Sequence, residues 1–476
     1  MKKITLIFIT LASLSSGCNN NSKKSGQASY PVLLSDTAKQ ASCVYLTSDE
    51  KDQPVISWCE TDRKSNKKNY YIAFFDENSG RFSPAIPVPI EQNASFHEEG
   101  MPKVAIKADG TVIAVYETSA PSERNSFAGF VHYLVSADKG KTWTAPACVH
   151  ADTAGGKSHS FAAITRLSDG EIGACWLDES FDHKAGGRPV KFAKTNHSNK
   201  FENERVVDSV ACQCCRIAIS SNPGRKITVA FRDIINDSIR DMSVSTSDDN
   251  GKTFTSAVSF SKDGWVINGC PHNGPAVAAT NDRIYATWFT GGRQKGVYYC
   301  EMNNKKETLT RQLVSSHGRF IQLCLLPDGA RVLAYNENIP EGEKVYSRIV
   351  LNKIENGKIF SANIGPEKSM AGYPVVLAYG EGKIIVAWSD DGRISYASVD
   401  AKTINTPIQR SSFNNVFVSQ KDFSHIKMAA SKDLVCGMPL SMSPEDTAMF
   451  KGRVYGFCSD ACKEKFLQHP EAFTEK

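Results

Sequence analysis

The feature that most constrains this chain is a pattern that recurs along most of its length. One unit is a short apolar strand, a turn often carrying Asp-Gly, and a second strand ending on an aromatic with acidic or polar residues. It reads SCVYLTSDEKDQPVISWCE from Ser42, MPKVAIKADGTVIAVYE from Met101, SFAAITRLSDGEIGACWLDE from Ser160 and CCRIAISSNPGRKITVAFRD from Cys214. It returns as GPAVAATNDRIYATWFTG from Gly274, IQLCLLPDGARVLAYNE from Ile321 and YPVVLAYGEGKIIVAWSD from Tyr373. Such units, seven in all at intervals of roughly 45 to 60 residues, cannot bury their apolar faces singly. Stacked around an axis they can, so a mainly β fold with one propeller blade per copy is expected. Seven blades are favoured; six with an irregular extra hairpin is the alternative. Tyr30–Ser35 (YPVLLS) is placed to add an outer strand that closes the ring beside the last blade.

Two copies carry a second mark. Ser136, Asp138, Gly140, Thr142 and Trp143 repeat as Ser247, Asp249, Gly251, Thr253 and Phe254, in the pattern S-x-D-x-G-x-T-[WF]. The chemistry is that of a hairpin turn, with Asp accepting backbone donors, Gly taking the positive φ and the aromatic plugging the blade. These residues resemble the Asp-box, or BNR, motif of sialidases and related propellers. In that family the box is structural and lies away from the central mouth, so it supports the fold and assigns no catalytic residue.

The same resemblance implies an alternative function, exo-sialidase or another glycoside hydrolase. Such enzymes hold a substrate carboxylate with three arginines and use a Tyr–Glu nucleophile with an Asp acid/base. The family's Arg-Ile-Pro tripeptide is absent here. Of Arg216, Arg232, Arg240, Arg293 and Arg319, only Arg216 and Arg319 fall near a blade start, and Glu98, Glu99, Asp178 and Asp233 form no evident pair. The reading leans against an enzyme, with no catalytic or cofactor-binding residue assigned.

Residues just ahead of each inner strand gather near one face of a propeller. There the sequence places His97 before the second copy, His159 before the third, Cys212, Cys214 and Cys215 at the fourth, and Cys270 and His272 before the fifth. Imidazoles and thiolates converging from separate segments suit a soft metal. On an extended strand Cys212 and Cys214 would face one way and Cys215 the other. A disulfide from Cys212 or Cys214 to Cys270 is the competing account for an exported chain. The scattered Cys43, Cys59, Cys148, Cys175, Cys300 and Cys324 read as small buried apolar residues.

The C-terminal end is different in kind. Asp433–Met438 reads DLVCGM and Tyr455–Phe466 reads YGFCSDACKEKF. Ser459 and Asp460 are suited to cap a helix starting between Cys458 and Cys462, which places both thiols on one side about a turn apart. Three sulfurs, Cys436, Cys458 and Cys462, suit Cu(I) or Zn(II); a disulfide staple would leave one thiol over. Cys436-Gly437-Met438, Tyr455, Phe457-Cys458, Cys462, Phe466 and Pro470 resemble the YHS domain found with heavy-metal proteins. That resemblance implies a small α+β, treble-clef-like module binding copper or zinc.

The N-terminus predicts export. Lys2 and Lys3 precede an apolar run from Ile4 to Leu14, and Ser15-Ser16-Gly17 leads into Cys18. The run is a signal rather than a permanent span, and the ending resembles a bacterial lipobox, which implies lipidation of Cys18. The expected layout is a signal at 1–17, a flexible tether at 18–29, a propeller at 30–410, a linker at 411–430 and the metal module at 431–476. The chain would sit in the bacterial cell envelope, held to a membrane by its lipid, facing periplasm or exterior, with a metal-handling protein as a possible partner. A formal charge of +5 over 476 residues, without a basic stripe interleaved with aromatics, excludes a nucleic-acid partner as the expectation.

Overall fold

A computed structural model describes residues 30–179, 186–267, 269–342, 344–408, 426–440, 444, 446–458 and 460–474. The signal, the tether with Cys18, and most of the linker lie outside these residues.

Seven antiparallel sheets follow one another along the chain. Their first strands, Lys39–Ser48, Lys103–Ile106, Ser160–Arg166, Ala218–Ser221, Ala276–Ala279, Gly318–Leu325 and Ala371–Tyr379, each touch the next, and the seventh touches the first. The result is a seven-bladed ring with these strands innermost. Blade faces stack on one another, so second strands are covered on both sides. Pro54–Asp62, Val112–Ser119, Ile172–Leu177 and Ile227–Arg232 are accordingly buried almost throughout and read as continuous apolar runs, without alternation. The aromatic that ends the repeat fills the gap between blades. Trp58 and Trp176 are fully buried, and each donates its indole N–H to an acid two residues on, Glu60 at 3.0 Å and Asp178 at 2.9 Å.

The ring closes as the sequence predicts. Val32–Leu33 adds to the edge of Arg393–Asp400, with Val32 opposite Tyr396. Leu34 N donates to Ile394 O at 2.8 Å, and Ile394 N donates to Ser35 Oγ at 2.9 Å. The last sheet thus joins the two ends of the propeller, removing a bare edge. The Asp-boxes also stand where expected, between third and fourth strands. Asp138 accepts from Thr142 N at 2.9 Å and Thr142 Oγ1 at 2.6 Å, and Asp249 repeats both bonds to Thr253 at the same lengths.

Four inner strands share a device that aims residues at the mouth. Cys43, Phe161, Phe320 and Tyr373 hold positive φ of 58°, 57°, 51° and 50°, each where its strand's register slips against the second strand. These are β-bulges, which bend a strand and re-aim side chains at a rim.

The C-terminal module is a hairpin, Asp446–Phe450 with Arg453–Phe457, followed by helices Asp460–Gln468 and Pro470–Thr474. Its core gathers Tyr455, Phe457, Cys458, Cys462 and Phe466. The module sits on the propeller mouth: Arg319 Nη2 donates to Glu464 Oε1 at 2.8 Å, and His469 Nε2 lies 3.4 Å from Asp391 Oδ1.

Candidate metal centre

In the module, a loop and a helix start bring the sulfurs together. Asp433 is fully buried and uses both oxygens. Oδ1 accepts from Val435 N at 2.8 Å and Cys436 N at 3.4 Å, while Oδ2 accepts from Cys458 N at 2.9 Å. One carboxylate thereby fixes the two segments that carry the first two thiols. Gly437 follows at φ +80°, a conformation a side chain would strain, and its N–H donates to Asp433 O at 2.8 Å to close the turn. The helix beginning at Asp460 puts Cys462 one turn past Cys458.

The separations are Cys436 Sγ–Cys458 Sγ 3.4 Å and Cys458 Sγ–Cys462 Sγ 3.8 Å. A metal with bonds of about 2.3 Å to sulfur holds its thiolates about 3.8–4.0 Å apart, so this set needs little movement to grip an ion. Hydrogen bonds from Cys458 and Cys462, with the positive charge of His272 beyond them, hold the Cys436 thiol far below its ordinary value. The same bonds, with burial, push Cys458 up.

On the propeller, the expected alternation of Cys212, Cys214 and Cys215 does not occur. The chain leaves strand geometry after Ala211 and turns, so all three sulfurs lie within 4.8 Å of one another, with Cys212 Sγ–Cys214 Sγ at 3.9 Å. A turn has no two-sided alternation to obey. Cys214 also groups with Cys270 and His272 within 4.8 Å. His272 sits at φ +44°, a sparsely populated conformation for a side chain of its size, held just after Pro271. Among the described residues, all thirteen cysteines are thiols rather than disulfides, so neither bridge to Cys270 is formed. Cys43, Cys59, Cys175, Cys300 and Cys324 are buried in the core, as expected of small apolar residues, while Cys148 is half-buried.

A hydrogen bond with Cys214, and one with His272, pull the Cys270 thiol down to about 6 against its burial. Burial opposes protonation of His272, but the bond to Cys270 and its charge outweigh that and push the imidazole up to about 9. Each group thus favours the charged form of the other.

The two other histidines do different work. His97 lies edge-to-face with His272 at 5.2 Å, but its Nδ1 accepts from Glu99 N at 3.2 Å. Burial first, and then His272, lower it to about 3, so the ring is neutral and its proton stands on Nε2, leaving no lone pair for a metal there. His159 is drawn away from the cluster: Nδ1 meets Asp178 Oδ2 at 3.0 Å and the ring stacks on His150 at 3.7 Å. It belongs to none of the described groups that bring potential ligands together.

Glu98, Glu99, Arg216 and Arg319 at the mouth are engaged by neighbouring segments. Glu99 takes Arg216 and the backbone N–H of Gly274, while Arg216 reaches Ile321 O at 3.1 Å. Glu98 accepts from Cys43 N at 3.0 Å and Ser389 Oγ at 3.1 Å. These bonds cross the ring and pin distant blades together. Arg319 is taken by Glu464. The two arginines that a carboxylate-binding site would recruit are therefore both in ion pairs. Asp433 and Glu464 escaped the sequence reading; the spacing Asp-x-x-Cys hints at the first, through its turn chemistry, and nothing local marks the second.

Residues 69–386 match the BNR repeat-like domain. The chain belongs to that family. Residues 431–476 match the YHS domain, so this BNR-family propeller carries a YHS module at its C-terminal end. No curated protein matches the chain. Among solved structures it is similar to the polysaccharide lyase Uly1, at TM-score 0.48 and 11% identity over 80% of this chain and 94% of that one. It is also similar to the NanB sialidase from Streptococcus pneumoniae, at TM-score 0.43 and 9% identity over 78% and 70% of the two chains. An α-L-arabinanase from Penicillium chrysogenum gives TM-score 0.42 and 11% identity over 79% and 98%.

Proposed function

We propose that this propeller protein binds a soft metal ion on Cys436, Cys458 and Cys462 and that its role is to sequester or deliver that ion outside the cytoplasm. The observation that carries the reading is the pair of sulfur separations, 3.4 and 3.8 Å, in a match to the YHS domain. Copper as Cu(I) suits the donors better than zinc. Soft thiolates select Cu(I), and Asp433, whose carboxylate lies within 4.8 Å of the three sulfurs while accepting backbone N–H groups, is the one hard donor of the set. Cys436 is the exposed member, so ligand exchange with a metal-handling partner would begin at its sulfur. The signal and Cys18 supply the compartment in this proposal: a lipid-anchored protein of the cell envelope.

Metal analysis of protein purified without oxygen and with reductant tests it. Bound copper that falls when Cys458 and Cys462 are both changed to Ser supports the reading; copper content untouched by that change overturns it.

A further inference from the structure

The module's thiols do not face solvent alone; they face the propeller's. Cys458 Sγ lies 4.0 Å from the carbonyl oxygen of Cys270, the residue that groups with Cys214 and His272. The approach is backbone to backbone. A Cβ built on Gly269 would fall 2.6 Å from the Cys458 carbonyl oxygen, so only glycine admits the module this close. Cys436, Cys458 and Cys462 stand together on the module side, Cys214 groups with Cys270 and His272 and with Cys212 and Cys215 on the propeller side, and the two sets meet where Cys458 approaches Cys270.

Three further observations fit an occupied site on the propeller side. The side chain of Asn273, next to His272, is fully buried, and neither its oxygen nor its nitrogen has a hydrogen-bond partner among the described residues. An unmet buried amide costs on the order of 1–3 kcal/mol, which an occupant of this loop or its attendant water would offset. Cys212 Sγ and Cys214 Sγ stand 3.9 Å apart, the spacing two thiolates take on one ion. Phe161 packs against the cluster and excludes water from one side.

We infer that the docked domains form one two-ion thiolate centre. One soft monovalent ion sits on Cys436, Cys458 and Cys462. A second sits on Cys214, Cys270 and His272, with Cys212 and Cys215 close enough to share it. The inference rests on the function proposed above and extends it, because the propeller becomes a ligand donor rather than a platform.

The test uses the full chain, loaded without oxygen with Cu(I) as its acetonitrile complex and counted by native mass spectrometry. Two ions per chain are expected. Changing Cys270→Ser or His272→Gln, each made separately, should leave one, and Cys458→Ser with Cys462→Ser should also leave one. Copper-edge X-ray absorption of the unaltered protein should show copper–copper scattering beside sulfur, a readout that needs no variant to fold. One ion per chain, indifferent to Cys270 and His272 but lost with Cys458 and Cys462, overturns this inference and leaves the module site standing. One ion lost only with Cys270 or His272 overturns the two-ion centre and the module reading together. Two ions without copper–copper scattering also overturn the shared centre.

Discussion

Arg319 Nη2 donates to Glu464 Oε1 at 2.8 Å, joining the start of the sixth blade to the helix that carries Cys462. Arg319 is itself almost fully buried, with its guanidinium 4.1 Å from the ring centre of Phe289, so the contact is made from a rigid base. The docked position of the module is thus written into side chains on both partners, and the sulfur clusters meet because of it.

Changing Glu464→Gln keeps the shape and removes the charge. Loss of a charged hydrogen bond that is partly open to water should weaken docking by about 1–2 kcal/mol. Hydrogen exchange in Asp460–Gln468 should speed accordingly while the propeller's melting temperature stays put. An unchanged exchange rate would show that the pair contributes nothing to docking.

Gly269→Val acts on the same joint by bulk. The added carbons would meet backbone rather than a movable side chain, 2.6 Å from the Cys458 carbonyl oxygen. The module should separate from the mouth, and alkylation mapped by mass spectrometry should find Cys270 more reactive than in the unaltered chain. Equal labelling of Cys270 in both proteins would mean the loop yields without undocking.

Ring closure offers a check on the propeller alone. Ser35 is buried and its hydroxyl oxygen takes the Ile394 N–H. Ser35→Ala leaves that donor unmet and should cost about 1–3 kcal/mol, read as a lower midpoint in urea. A midpoint within error of the original would place the strength of closure in the backbone pair Leu34–Ile394 instead.

How much of this was legible in the chain follows from which interactions are local. The blades were, because a strand, a turn and a strand are coded within some twenty residues, and the closing strand Val32–Leu33 followed from needing an outer edge for the last sheet. The module's sulfurs were, because a loop cysteine and a helix-start pair keep their geometry wherever the module sits. The sidedness of Cys212–Cys215 was not, because the chain turns after Ala211 and strand alternation ends there. Nor was the place of His159, whose partner Asp178 lies beyond the next strand and takes the ring nitrogen. Docking was invisible, since Arg319 and Glu464 stand 145 positions apart and neither carries a local mark.

Acid should weaken the propeller through His150. Burial, then the neighbouring His159, lower this imidazole from the usual 6.5 to about 4, and its Nε2 accepts from Val131 N at 3.2 Å. Because the folded state resists the proton, the unfolded chain binds more of it between those two values, so stability is full above about pH 6.5 and declines as pH falls toward 4. At pH 5 the loss from this group should reach up to about 2 kcal/mol. His97, lowered for the same reason, adds in the same sense. His150→Gln should melt with a smaller difference between pH 7.5 and pH 5 than the unaltered chain; an equal difference would clear His150 of the effect.

The sharpest test of the metal site alters no sulfur. Asp433 accepts from the N–H groups of Val435, Cys436 and Cys458, so it sets the spacing of Cys436 and Cys458. Asp433→Ala would leave three donors unmet in a buried position and let the Cys436 loop drift from the helix start. Ion affinity should fall by roughly 10–100-fold, the usual penalty for losing a group that orients ligands. Asp433→Asn keeps one acceptor oxygen and should fall less. Competition against a coloured Cu(I) chelator reads both, with a melting curve to confirm that the propeller is intact. If Asp433→Ala bound copper as tightly as the unaltered chain, the sulfurs would be gathering around the ion without a preformed site, and the separations of 3.4 and 3.8 Å would lose their meaning as evidence for one.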